Sequence, residues 1–420
     1  MFQRSVLDNQ LRVLTSTMPH TRSVSIVICV GAGSRYEPED KAGLSHFLEH
    51  LPFKGTKNWP TAQAVSEAIE GVGGVMNAST DREMTAFWCK VPQPHFRTAF
   101  SVLLDMLINP LLDPEELEKE REVIQEELRM TNDHPTYKVD LLIDEALWPG
   151  QAMGRDVGGT AQSVEALTRD EIQEYMRRQY NPANTVVAVA GNITHQEVIQ
   201  LLEEATSEWK PVQSLDWEPV NNDNQGPIVL MDQRRTDQTH LCLALPGVSL
   251  DDPDRFNLAL LNVMLGDGMS SRLFQNLRER QSLTYDVSSS ISHFRDCGSV
   301  IIYCGVEPKK SRPAIKAVVE ELQGMHQVAP EEELHKAKEY TKGRLLLRLE
   351  DSRAVATWLA TQELLQGHVS TPEQAVQRID DVTAADVARV AQNLFCRENL
   401  RLAVVGPHRS DKQFHKLLQS

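Results

Sequence analysis

His46 and His50 stand four residues apart in GLSHFLEHLPFKGT, residues 43–56. On a helix that spacing puts both imidazoles on one face, within reach of one metal ion. Glu49 lies three residues after His46 on the same face. Two neutral imidazoles suit zinc, and a carboxylate beside them can take the proton of a water that the metal activates. The order is H-x-x-E-H, the reverse of the commoner H-E-x-x-H zinc-protease motif. The competing reading, two histidines on a solvated helix face, is disfavoured by the flanking residues.

A catalytic zinc needs a third protein ligand and one open position. Residues 114–130, PEELEKEREVIQEELRM, read as a helix with Asp113 as N-cap and Pro114 in its first turn. Leu117, Ile124 and Leu128 form its apolar stripe, and Glu120 and Glu127 lie on that stripe seven residues apart. Glu126 points about 100° away, toward solvent with Lys119 and Glu122. Glu127 is therefore the candidate third ligand, and Glu120 the candidate carboxylate behind a histidine. The alternative is that both belong to a merely acidic helix surface.

These residues need a scaffold, and the chain repeats itself at long range. TRDEIQEYMRRQYNPANTVVAVAGN (168–192) aligns without a gap on TAADVARVAQNLFCRENLRLAVVGP (383–407). Thr168 falls on Thr383, Glu171 on Asp386 and Gly191 on Gly406. Each copy opens with a capping box or its Asp analogue, runs as an amphipathic helix, breaks, and enters an apolar strand. Duplication implies two homologous domains: 1–212, carrying the candidate metal site; a linker, 213–226; and 227–420. Strand-like runs occur at 24–33, 85–91, 240–247 and 299–306, and helical runs at 114–130, 161–179, 252–265, 330–349 and 371–393. Grouped rather than alternating elements predict an α+β fold, each domain a mainly antiparallel sheet covered by helices.

The 420 residues are 41% hydrophobic and 24% charged, which excludes a disordered or collagen-like chain. The net charge is −16, and the first 210 residues hold 19 basic against 31 acidic side chains. Such a chain is not expected to bind nucleic acid, and it favours neutral or basic partners. Without a long apolar run or an N-terminal apolar segment, neither a membrane span nor a secretory signal is expected. Six cysteines without a C-x-x-C pair fit a reducing cytoplasm, with Cys29, Cys89, Cys242 and Cys304 read as small buried apolar groups.

On HFLEH followed by FKGT, GGVMNASTDREMTAFWCKV (73–91), EREVIQEE (120–127) and SSRLFQNLRERQSLTY (270–285), the chain resembles the pitrilysin/insulysin family of inverted-motif zinc peptidases. Among them the processing-peptidase-like members are the most similar, and the resemblance spans nearly the whole chain. It implies one zinc per chain, two homologous domains, a clamshell homodimer, and endopeptidase cleavage of unfolded or presequence-like peptides. It assigns Asn77 and Glu83 to the substrate cleft, and Arg278 and Tyr285 to completing the active site from the second domain. Two departures stand out. Pro52 follows Leu51 where the family has other residues, and Gln281-Ser282 replaces a basic–Gly pair.

The expected reaction is hydrolysis of peptide bonds. Zinc is held by His46, His50 and Glu127, Glu49 is the base, and Arg278 and Tyr285 steady the developing oxyanion. The ligand set would also accept cobalt or manganese. An extended substrate is expected to add a strand to a sheet edge near 73–80, with Gly73 and Gly74 giving either close backbone approach or a plain turn. The alternative functions are a non-catalytic structural subunit and an active subunit that depends on a different partner chain.

Overall fold

The computed structural model describes residues 2–221 and 228–419, so residues 222–226 of the expected linker lie outside the described residues. Two compact units divide the chain. The first is Met1–Leu128, Asp156–Glu218 and Leu346–Thr371; the second is Arg129–Arg155, Pro219–Leu345 and Pro372–Ser420.

Runs of β-branched and small apolar residues such as VSIVICV and TVVAVAG favour strands and supply the sheet of the first unit. Its strands are β1 (Gln3–Val6), β2 (Arg12–Thr17), β3 (Ser23–Val30), β4 (Val75–Thr80), β5 (Thr85–Pro92) and β6 (Thr185–Gly191). They lie in the order β1-β2-β6-β3-β5-β4. The β2–β6 pair is parallel and all the others are antiparallel. In the second unit β7 (Val229–Gln233), β8 (Thr239–Pro246), β9 (Thr284–His293), β10 (Gly298–Val306) and β11 (Arg401–Gly406) lie in the order β7-β11-β8-β10-β9. There only β7–β11 is parallel. With helices on their faces, the units are α+β as expected.

The internal repeat extends beyond the helix and strand that first showed it. Val27 pairs with Trp88 and Ala188 in the first sheet. In the second sheet Cys242 pairs with Tyr303 and Ala403, the same trio displaced along the chain by the offset that carries Thr168 onto Thr383. Both capping boxes form, at Thr168/Glu171 and Thr383/Asp386. Because a capping residue starts a new helix, the expected helical runs 161–179 and 371–393 are each two helices: Ala161–Ala166 and Arg169–Gln179, then Pro372–Asp381 and Ala384–Leu394.

Alternation along the strands gives each sheet two apolar faces, and each face has its own core. In the first unit one face holds Ile26, Ile28 and Val30 of β3 against Leu44, Phe47, Leu48 and Phe100. The other, with Val27, Cys29, Ala86 and Ala188, is covered by Ala356, Leu359, Ala360 and Leu364 of the Ser352–Gln366 helix. In the second unit Cys242, Ala244, Ala403 and Val405 are covered by Val139, Ile143, Ala146 and Leu147 of the Pro135–Leu147 helix. Each covering helix comes from the half of the sequence that builds the other sheet. The chain passes between units inside long helices, Pro114–Asp133 and Glu331–Arg348. Cys29, Cys89, Cys242 and Cys304 are buried and free.

Candidate metal centre

The Leu44–His50 helix is seven residues long, too short to be stable alone in water. Tertiary contacts hold it. Leu44, Phe47 and Leu48 enter the core. The carboxylate of Glu37 accepts from the Gly43 and Ser45 amides at 2.8 and 2.6 Å, satisfying N–H groups that a helix start leaves open. The Ser45 hydroxyl is hydrogen-bonded to that of Tyr175 at 2.7 Å, and Thr80 Oγ1 donates to the Ser45 carbonyl at 3.5 Å. Nothing in the order of residues 34–40 marked Glu37 for this task, and Thr80 gave no signal inside a strand.

What remains free on this helix is the face bearing His46, Glu49 and His50. His50 Nε2 lies 3.3 Å from His46 Nε2. Glu127 Oε2 lies 3.7 Å from His46 Nε2 and 3.8 Å from His50 Nε2. Among the described residues this is the group of three that could hold a metal ion. A triangle of those sides has corners roughly 2.1 Å from its centre, the length of a zinc–imidazole bond. The Pro114–Asp133 helix brings Glu127 here and buries Leu117, Glu120 and Ile124 on the same side.

Behind the ligands, His50 Nδ1 donates to Glu120 Oε2 at 2.9 Å, which leaves Nε2 with its lone pair free toward the centre. Burial alone would lower the His50 pKa. The hydrogen bond to Glu120 and the charges of Glu127, Glu120 and Glu49 outweigh that and leave it raised. Burial and the neighbouring His50 push His46 down to about 4, so its imidazole is neutral at pH 7. Burial also works to raise Glu120, but hydrogen bonds from His50 and Lys54 win and hold it below the ordinary carboxylate range. Among the described residues His46 Nδ1 is buried without a partner, beside Gly158.

Glu49 is half-buried. Burial raises its pKa, the Glu127 charge adds to this, and hydrogen bonds from Thr80 and the charge of His50 oppose it. A carboxylate made more basic in this way is a better proton acceptor.

The remaining expected residues are placed as follows. Asn77 is exposed on β4, with its Oδ1 accepting from the Ala78 amide at 2.8 Å. β4 has β5 as its neighbour on one side and is the edge of its sheet. Glu83 is buried and receives Arg35 Nη1 at 2.5 Å in an ion pair with both side chains out of solvent. Gly73 sits at φ 75 with open space around it, a turn, whereas a Cβ on Gly74 would meet Val91 and the Ile69 carbonyl. Arg278 and Tyr285 belong to the second unit. Arg278 lies in a π-helical segment, Phe274–Arg280, its guanidinium 4.9 Å from the ring centre of Tyr285, which is 75% exposed. Between them Ser282 takes φ 52, the left-handed backbone that the glycine expected by resemblance would adopt freely. Pro52 does not displace His46 or His50. The α-helix ends at His50, and the tighter 3-10 turn Leu51–Lys54 follows.

Two imidazoles and a carboxylate that could hold a metal ion, with a supporting carboxylate and a raised-pKa glutamate beside them, match the kind of donor set that a hydrolytic zinc site uses. The family descriptions agree. "Insulinase (Peptidase family M16)" matches residues 12–161, and "Peptidase M16 inactive domain" matches residues 166–340. An uncharacterized zinc protease of Streptomyces coelicolor is 35% identical over 422 residues, 99% of this chain and 91% of that protein. One from Bacillus subtilis is 32% identical over 408 residues, 97% of this chain and 98% of that protein. A crystal structure of a protease from Helicobacter pylori has a TM-score of 0.89 at 23% identity, covering 97% of this chain and 99% of that one. A peptidase M16 inactive domain from Pseudomonas fluorescens has the same fold, with a TM-score of 0.89 at 17% identity and 98% coverage of both chains. The chain belongs to the insulinase (M16) family of peptidases. Among the described residues no helix is long and apolar enough to cross a membrane.

Proposed function

We propose that this chain is a zinc-dependent endopeptidase. The observation that carries the reading is the His46–His50–Glu127 triangle with Glu49 beside it. His46, His50 and Glu127 would hold the zinc, which when bound supplies Lewis acidity to a peptide carbonyl and acidifies water. Glu120 fixes the His50 tautomer so that Nε2 faces the centre. Glu49 accepts a proton from the attacking water and returns it to the leaving amide nitrogen. Thr80, hydrogen-bonded to Glu49, steadies that carboxylate.

An extended peptide would add to the free edge of β4, whose end at Thr80 adjoins Glu49 and whose Asn77 is exposed. Backbone pairing of this kind favours unfolded or presequence-like segments with limited side-chain selectivity. The roles of Arg278 and Tyr285 in steadying the oxyanion rest on the family resemblance. The proposed assembly is a homodimer, which an active monomer in size-exclusion chromatography would remove.

The test is Glu49→Gln, with metal content and peptide hydrolysis measured on the same preparation. Zinc should stay at about one per chain, while hydrolysis falls by roughly 10²–10⁴-fold. A variant that keeps both zinc and wild-type turnover would remove Glu49 as the base. A wild type that binds no zinc and cuts no peptide would leave the reading as a structural subunit.

A further inference from the structure

The contacts behind His50 do not end at Glu120. The carboxylate of Glu120 is shared: Oε2 accepts from His50 Nδ1, and Oε1 is paired with the ammonium of Lys54. Glu120 is almost wholly out of solvent, with its side chain 4% exposed, while Lys54 is 31% exposed. A pair between two exposed side chains contributes little because water competes for both ends. Here one end is sealed, and each oxygen of the sealed end is committed to a different donor.

The backbone delivers Lys54 to this position. After His50 the chain tightens into the 3-10 turn Leu51–Lys54, with Pro52 in its first residues. Leu51 and Pro52 are buried and Phe53 packs against the core, so the segment is anchored by its neighbours. The Lys54 stem then has only to lie along the protein surface to bring its ammonium to Glu120.

We propose that Lys54 is a positioning residue of the metal centre. It fixes the rotation of the Glu120 carboxylate and, through it, the ring plane and tautomer of His50. Its charge also offsets that of Glu120 in a site where Glu49 and Glu127 already bring negative charge to the imidazoles. Removing Lys54 frees Oε1, and the carboxylate can then turn away from the ring. The proposal rests on reading His46, His50 and Glu127 as metal ligands.

The experiment compares zinc affinity, by competition with a chromophoric chelator, and the visible spectrum of the cobalt(II)-substituted protein. The proteins are wild type, Lys54→Met, Lys54→Arg, Glu120→Gln and the double variant Lys54→Met/Glu120→Gln. Supporting contacts of this kind change metal affinity by about 10–100-fold. Lys54→Met should sit at the lower end, about tenfold weaker, with an altered cobalt spectrum. Lys54→Arg should recover most of the affinity. If Lys54 acts through Glu120, the double variant should bind zinc no more weakly than Glu120→Gln alone. Wild-type affinity and spectrum in Lys54→Met, or additive losses in the double variant, would overturn the proposal. A wild type that binds zinc at none of the three ligands would overturn the underlying assignment, and this inference with it.

Discussion

The two units carry the same helix in the same setting, and only the first places the candidate metal-binding residues on it. In the first unit the Leu44–His50 helix buries Leu44, Ser45, Phe47 and Leu48, and the Ser45 carbonyl accepts from Thr80 on the edge strand. In the second unit the Arg255–Leu265 helix buries Leu261, Asn262, Met264 and Leu265 with the same spacing. The Asn262 carbonyl accepts from Ser289 on β9, again an edge strand, at 3.4 Å. Aligned on these contacts, His46 corresponds to Val263, Glu49 to Gly266 and His50 to Asp267. The long helices that follow align as well, with Leu117 and Leu334 both buried. There Glu120 corresponds to Ala337 and Glu127 to Arg344.

Five substitutions thus separate the candidate site from ordinary packing. Asp267 accepts from the Tyr340 hydroxyl at 3.2 Å, and Arg344 stacks on that tyrosine ring at 5.5 Å. A fold can host a candidate site without specifying it, and within this one chain one copy of the arrangement has the candidate residues and the other has not.

The comparison can be tested in order of effect. The largest should come from making the first unit resemble the second. His46→Val removes one of three ligands, so zinc in dialysed protein should fall from about one per chain to near zero and hydrolysis should fall to background. The reverse change, Val263→His, should create no metal site, because Gly266, Ala337 and Arg344 offer no ligand and Asp267 alone, engaged with Tyr340, cannot complete a three-ligand set. Zinc retained in His46→Val, measured by metal analysis, would mean that the difference between the units lies elsewhere.

An intermediate effect is expected from Glu120→Gln. Zinc affinity at high pH should fall by about 10–100-fold. The pH profile sharpens the test. Although burial works to lower it, the His50 pKa is raised by the Glu120 hydrogen bond and by the charges of Glu127, Glu120 and Glu49. Protons therefore compete for the imidazole from a higher pH, and zinc uptake by wild type weakens as pH falls through that raised value. Glu120→Gln removes two of the raising contributions, so the midpoint of uptake should move to lower pH. An unmoved midpoint would detach Glu120 from His50.

The smallest effect should arise in the second unit. Ser282 at φ 52 bears a left-handed cost of roughly 1–2 kcal/mol, part of which glycine would forfeit through its greater freedom in the unfolded chain. Ser282→Gly should stabilise the protein by about 0.5 kcal/mol, measured by denaturant titration. Destabilisation would mean that the serine side chain contributes more than its backbone costs.

The placement of the candidate metal-binding residues was legible because helical periodicity is a local property. The four-residue spacing put His46 and His50 on one face, and the apolar stripe of 114–130 separated Glu127 from Glu126. Residues that act through distant partners were not legible in this way. Glu83 was assigned to the substrate cleft by resemblance, and the structure shows it 3% exposed and engaged with Arg35, a residue 48 positions earlier. Glu37, Thr80 and Lys54 support the centre through contacts that no spacing announces. The repeat was visible at 168–192 and 383–407 because its capping boxes recur, but no local pattern tells a helix which sheet it will cover.

That last feature bears on how the chain can be divided. The sheet face formed by Val27, Cys29, Ala86 and Ala188 is covered by the Ser352–Gln366 helix, from the far side of the linker. The face under Cys242 and Ala403 is covered by the Pro135–Leu147 helix, from before it. Neither half-sequence holds the material to seal its own sheet, so a gene cut at the linker encodes two incomplete proteins. Such fragments would present apolar surface until they met, and each would act as the other's chaperone. Only a chain translated whole carries both covers.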